Sequence, residues 1–143
     1  MNTEILAPAA VLVAWTLVML LWTISTRFPA FKKAGIDLAV APPGGRYVDV
    51  EGAMPPQVNW IAHNYNHLME QPTIFYPLVV ILAIAGGSDA AVNWAWGYTG
   101  LRIAHSLWQA LVNKIPVRFA LFFASSVCLM AMTYYALQAT LGS

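Results

Sequence analysis

The stretch VNWIAHNYNHLMEQPTIFYPLVVILAIA, residues 58–85, decides how this chain is read. Its second half is apolar enough for lipid, yet its first half sets His63, Asn66, His67 and Glu70 into the same run. A polar or ionisable side chain facing acyl tails is costly, because lipid offers it no hydrogen bond; such residues turn toward a partner helix or a ligand. The next apolar run, AVNWAWGYTGLRIAHSLWQALV at 91–112, repeats the pattern with Arg102, His105 and Gln109. The interior of a helix bundle is therefore where function is expected.

Composition points the same way. The 143 residues are 59% hydrophobic and 9% charged, against about 25% charged in soluble domains, which reads as one integral membrane domain. A formal net charge of +1 gives no basic field for neutralising phosphates, so nucleic acid is excluded as a partner. The one cysteine, Cys128, lies in an apolar run and reads as a small buried hydrophobe.

Four spans are expected, at about 5–26, 58–85, 91–112 and 117–141, each near the roughly 20 residues that cross a bilayer. The first lacks the charged n-region of a cleavable signal peptide and is read as a membrane helix. The sole long polar stretch, 27–56, holds Arg27, Lys32, Lys33 and Arg46. Lys114 and Arg118 border the turn before the last span, whereas both tails and the 86–90 turn carry no Lys or Arg. Basic loops stay cytoplasmic, which predicts an all-α, four-helix bundle with a cytoplasmic loop 27–56 and both termini on the non-cytoplasmic side.

Residues three or four apart share a helical face. Asn59, His63, Asn66 with His67, and Glu70 form one polar stripe; Tyr98, Arg102, His105, Gln109 and Asn113 form a second. The two stripes are expected to face each other, with Glu70 and Arg102 as an ion pair, and such contacts can serve simply to tie helices together. Arg118, one turn into the last span, is placed to hold an anion with the partly positive start of a helix. His63, His67 and Glu70 share a face, with His105 as a fourth candidate ligand from the next helix, but Asn66 interrupts the set and no metal is expected.

Taken together, HNYNHLMEQP at 63–72, the RIAH of 102–105 and Arg118 at the start of the fourth helix resemble the MAPEG family, membrane-associated proteins in eicosanoid and glutathione metabolism. That family includes microsomal glutathione transferases, prostaglandin E synthase and leukotriene C synthase. The form of the second-helix motif resembles bacterial members, which implies a bacterial inner membrane. The resemblance implies a homotrimer with glutathione held between subunits near the cytoplasmic face. It implies Arg118 as the stabiliser of the glutathione thiolate, with His63, Asn66, Glu70, Arg102, His105 and Gln109 as the binding residues and Glu70 at the glutathione amine. The reaction implied is a glutathione-dependent transfer or peroxidase reaction on a lipophilic substrate entering from the bilayer. Two departures stand out. Family enzymes carry arginines before the second-helix Glu where this chain has His63, Asn64, Asn66 and His67, and Gln109 replaces a frequent tyrosine. These departures keep open an alternative in which the chain is a non-catalytic membrane subunit that docks other membrane proteins.

Overall fold

The computed structural model describes residues 1–142, and all regular structure in them is helical. The α-helices are α1 (Leu6–Lys33), α2 (Pro56–His67), α3 (Pro72–Ala85), α4 (Asp89–Leu111) and α5 (Ile115–Leu141). α2 and α3 follow one another along the single run expected at 58–85, so the molecule is a four-rod bundle whose second rod is broken. α1, the α2–α3 rod and α5 are each long and apolar enough to cross a membrane. α4 has 23 residues, about 34 Å at 1.5 Å per residue, and is set apart by its polar content rather than its length.

α1 shows how the sequence sorts inside from outside. Ile5, Leu12 and Met19 are 0% exposed, and Pro8, Thr16 and Thr23 between them are also buried, one stripe at helical spacing. Val13, Leu17, Val18 and Leu21 on the other faces are 46–66% exposed. A helix apolar all round with one face against protein has its remaining faces matched to lipid. The helix continues seven residues past the span expected at 5–26, to Lys33, so the polar stretch begins at Ala34. Lys32 and Lys33 in its last turn complement the negative end of the helix dipole.

Pro72 explains the broken rod. It has no N–H for the Leu68 carbonyl, and the chain crosses the gap with tightened i→i+3 bonds: Met69 N–H to Asn66 at 3.0 Å, Glu70 N–H to His67 at 3.1 Å and Thr73 N–H to Glu70 at 3.2 Å. α3 ends at Gly86, whose φ of 82° only glycine adopts without strain. Ser88 then caps α4 by accepting the Ala91 N–H at 3.3 Å.

The rods alternate in direction. Asn2 ties the start of the chain to the far end of α3, donating its backbone N–H to Ala83 O at 2.8 Å and its side-chain amide to Gly87 O at 2.7 Å. α4 is the most enclosed helix and shares its largest interface with α5. The polar 34–55 segment folds over one end as three single 3₁₀ turns, seated by Phe31, Ala30 and Met54 with Tyr47 and Val58. Cys128 is buried in the main core, as expected of a small hydrophobe.

Candidate functional site

The α4 stripe turns inward as expected. Tyr98, Arg102, His105 and Gln109 are all buried, 0–9% exposed, and Ser106 and Thr99 flank them. The α2 stripe does not. Its inward face is Ile61, Ala62, Asn64 and Leu68, while His63, Asn66 and Glu70 are exposed. The polar residues at the start of α2 are satisfied by the folded loop instead. Tyr47 Oη donates to Asn59 Oδ1 at 2.5 Å, Asn59 Nδ2 donates to Glu51 O at 3.0 Å, and His63 pairs with the Glu51 carboxylate. Burial raises the Tyr47 phenol above its ordinary pKa, so it stays a donor at neutral pH.

The expected ion pair between Glu70 and Arg102 is not formed. Glu70 points outward with its side chain 69% exposed and pairs with His67 Nδ1 at 3.3 Å. Successive helical residues are set about 100° apart, and the tightened turn before Pro72 carries Glu70 out and brings its neighbour Gln71 in. Gln71 Oε1 accepts from Tyr98 Oη at 3.2 Å and from Arg102 Nη1 at 3.5 Å, and Gln71 Nε2 donates to Ser126 Oγ at 2.9 Å. Arg102 also reaches Ser125 Oγ at 3.4 Å and lies 5.9 Å from the ring centres of both Tyr98 and Phe122. A fully buried guanidinium is thus held by neutral oxygens and two aromatic faces, which suit a weakly hydrated planar cation.

Above Arg102, at the basic end of the bundle, α4 and α5 part around a cavity of about 290 Å³. His67, His105, Gln109 and Arg118 form its polar wall; Ile115, Phe119 and Phe122 form its apolar wall. The rings of His67 and His105 stack at 4.9 Å between centroids, and His67 lies 5.8 Å from Phe122. His67 Nε2 and Gln109 Oε1 are buried without a hydrogen-bond partner, so the wall carries one nitrogen and one oxygen with unmet hydrogen-bonding capacity. Buried polar groups are rarely left so.

Arg118 is aimed by the turn that precedes it. Asn113 sits at φ 56°, a left-handed conformation that asparagine tolerates better than most residues, and its Oδ1 accepts from Arg118 Nη1 at 2.6 Å. The Asn113 N–H closes the end of α4 onto Trp108 O at 2.7 Å, and Trp108 Nε1 donates to Lys114 O at 2.9 Å. Turn and guanidinium are therefore built by the same residue.

Of the residues singled out by sequence, Arg118, His105 and Gln109 converge on one cavity, and His67 joins them. Arg102 lies beneath as part of the core, while His63, Asn66 and Glu70 lie outside. Gln71 and Ser125 were not singled out. Gln71 sits inside the quoted motif, and its position next to a helix-breaking proline is the signal that its direction departs from the stripe. Among the described residues no three of His, Cys, Asp and Glu gather as a metal-ligand set.

No curated protein and no solved structure matches this chain. The MAPEG family model matches residues 5–138, which takes in α1 to α4, all but the last three residues of α5, and the whole cavity. Apolar helices, an inward polar stripe and an arginine at the start of the last helix agree with that match: the chain belongs to the MAPEG family, integral membrane proteins of glutathione and eicosanoid metabolism.

Proposed function

We propose that this protein is a glutathione-dependent membrane transferase or peroxidase acting on lipophilic substrates. In this reading it is a homotrimer in a bacterial inner membrane, with all four rods crossing the bilayer. Arg27, Lys32 and Lys33 at the end of α1, the 34–55 segment and Arg118 then face the cytoplasm, and both termini face the other side. The observation that carries the proposal is the cavity in which Arg118, His105, Gln109 and His67 meet between apolar walls.

The residues present fit part of glutathione. The unpartnered Gln109 Oε1 and His67 Nε2 are suited to a peptide's amides, and Arg118 is suited to a thiolate or one carboxylate. At about 290 Å³ the cavity is at the low end for a small-molecule site, consistent with a neighbouring subunit supplying the rest. Glu70, exposed on the flank of its own subunit, is free to reach the glutathione amine in a neighbour's site.

When bound, glutathione supplies a thiol nucleophile with an ordinary pKa near 8.5. Arg118 favours its ionised form by charge, while the Asn113 hydrogen bond fixes the guanidinium in place. Phe119 and Phe122 exclude water from the apolar side, where a lipophilic electrophile would enter from the bilayer. His105 and Gln109 orient the peptide from α4.

The test is glutathione titration of the purified protein with thiolate ultraviolet absorbance as readout. Saturable binding with a thiolate signal is expected, and Arg118→Ala should abolish the signal while leaving the fold intact. If no thiol binds at millimolar concentration, the enzyme reading fails. The remaining reading is then the membrane subunit that docks other membrane proteins, which the exposed apolar faces of α1 and α5 would serve.

A further inference from the structure

We propose that the basic, aromatic-walled cavity between the end of α1 and the 34–55 segment docks the headgroup of an anionic phospholipid from the adjacent leaflet. The cavity measures about 540 Å³ and shares no residue with the Arg118 site. Arg27 and Arg46 supply its cations, and Phe28, Phe31, Ile36 and Val50 supply apolar wall.

Its charges are unbalanced. Asp49 also lines the cavity, but its Oδ2 is occupied by the Arg46 backbone N–H at 2.8 Å. The ion pairs among the described residues involve only His63 with Glu51 and His67 with Glu70, so neither arginine has a carboxylate partner. The Arg27 guanidinium carbon lies over the Tyr47 ring, 3.8 Å from its centre, and its Nε is buried without a hydrogen-bond partner. Tyr47 is itself pinned to α2 through Asn59, so the platform under Arg27 is fixed rather than adaptable. A half-buried cation on a rigid aromatic face, its remaining N–H groups free of any carboxylate, is suited to receive an anion.

Position and lining select a lipid over a free anion. Arg27 lies 21 residues beyond Leu6, about 32 Å along α1, one hydrocarbon thickness, so it stands at the membrane–water boundary. A second cavity of about 460 Å³ shares Phe28, Phe31, Ile36 and Leu38 with the first and adds Lys32 and Asp37, making one continuous groove in which Arg27, Arg46 and Lys32 outnumber Asp37 and Asp49. Phe28 and Leu38 are 50% and 53% exposed along it. A free phosphate has no use for that apolar floor. A phosphodiester attached to glycerol and acyl chains uses both the cations and the floor.

The experiment is native mass spectrometry of the intact detergent-solubilised protein exchanged into phosphatidylglycerol or phosphatidylcholine. Retention of phosphatidylglycerol over phosphatidylcholine is expected. The Arg27→Gln, Arg46→Gln double variant should lose that preference by roughly tenfold or more, whereas the charge-matched Lys33→Gln, Lys114→Gln double variant should retain it. Excess inorganic phosphate should not displace the lipid; displacement would show a free-anion site and overturn the proposal. Equal retention of both lipids, or equal loss in the Lys33→Gln, Lys114→Gln control, would also overturn it, the second by reducing the effect to net charge. Cross-linking of Leu38→Cys between subunits at full yield would assign the groove to a second copy of the chain instead. Folding of the double variant is checked by retained glutathione binding or, independently, by an unchanged thermal midpoint.

Discussion

Gln71 occupies the place that charge complementarity reserves for Glu70. Arg102 has no carboxylate partner: its Nη1 meets Gln71 and Ser125, its guanidinium lies by the Tyr98 and Phe122 rings, and its Nε and Nη2 are buried without a hydrogen-bond partner, so the few oxygens it does meet matter. Removing the amide leaves Arg102 and Tyr98 short of a partner in a water-poor core. Gln71→Ala should therefore destabilise the protein by about 1–3 kcal/mol, read from thermal unfolding in detergent. In double-mutant cycles Gln71 and Arg102 should couple, while Glu70 and Arg102 should give near-additive losses; strong Glu70–Arg102 coupling would restore the ion pair. Asn113 makes a second residue-scale case because its backbone and side chain have separate duties. Asn113→Gly keeps the left-handed turn and loses only the Arg118 hydrogen bond. It should weaken thiolate stabilisation with little effect on unfolding. Asn113→Ala loses both and should also lower the unfolding midpoint, since a left-handed alanine costs about 1–2 kcal/mol. Equal unfolding of the two variants would remove the backbone half of this account.

At the scale of elements, what was legible in the sequence depended on whether the helical period ran uninterrupted. On α4 no proline intervenes between Tyr98 and Gln109, so spacing alone placed Arg102, His105 and Gln109 on one inward face. On the second rod the same arithmetic was carried into the tightened turn that precedes Pro72, where the phase changes, and it placed Glu70 inside when Gln71 is there. The upper part of that stripe was misplaced for a different reason. Asn59 and His63 face partners from the 34–55 segment, contacts distant in sequence that no period reveals. The phase change is measurable by cross-linking in a Cys128→Ala background. Gln71→Cys with Ser126→Cys should be bridged by a short bifunctional methanethiosulfonate, which spans the length the glutamine amide filled, whereas Glu70→Cys with Ser126→Cys should not. The loop latch has its own check: Asn59→Ala removes two hydrogen bonds from the 34–55 segment. Limited proteolysis within that segment should speed up markedly, with the transmembrane rods left intact.

For the whole molecule, the division of charge between the two ends was readable from the outset and governs how it sits in a bilayer. The chain has 7 lysines and arginines, and all except the buried Arg102 gather at one end: Arg27, Lys32, Lys33, Arg46, Lys114 and Arg118. The alternating rods bring the ends of α1 and α4 and the starts of α2 and α5 together there. The opposite end carries Glu4 and Asp89 and no basic side chain. Since Lys and Arg in short loops resist translocation while Asp and Glu contribute little, the basic end should be cytoplasmic. Thr3 and Val40 report the two ends, as both are exposed and lie outside the α-helices, Val40 being 78% exposed at the end of a single 3₁₀ turn. In a Cys128→Ala background, Thr3→Cys should react with a membrane-impermeant maleimide on intact spheroplasts. Val40→Cys should react only after permeabilisation. The reverse pattern would turn the molecule over and move the Arg118 cavity away from the cytoplasmic pool of glutathione, so orientation and proposed chemistry are tested by the same two cysteines.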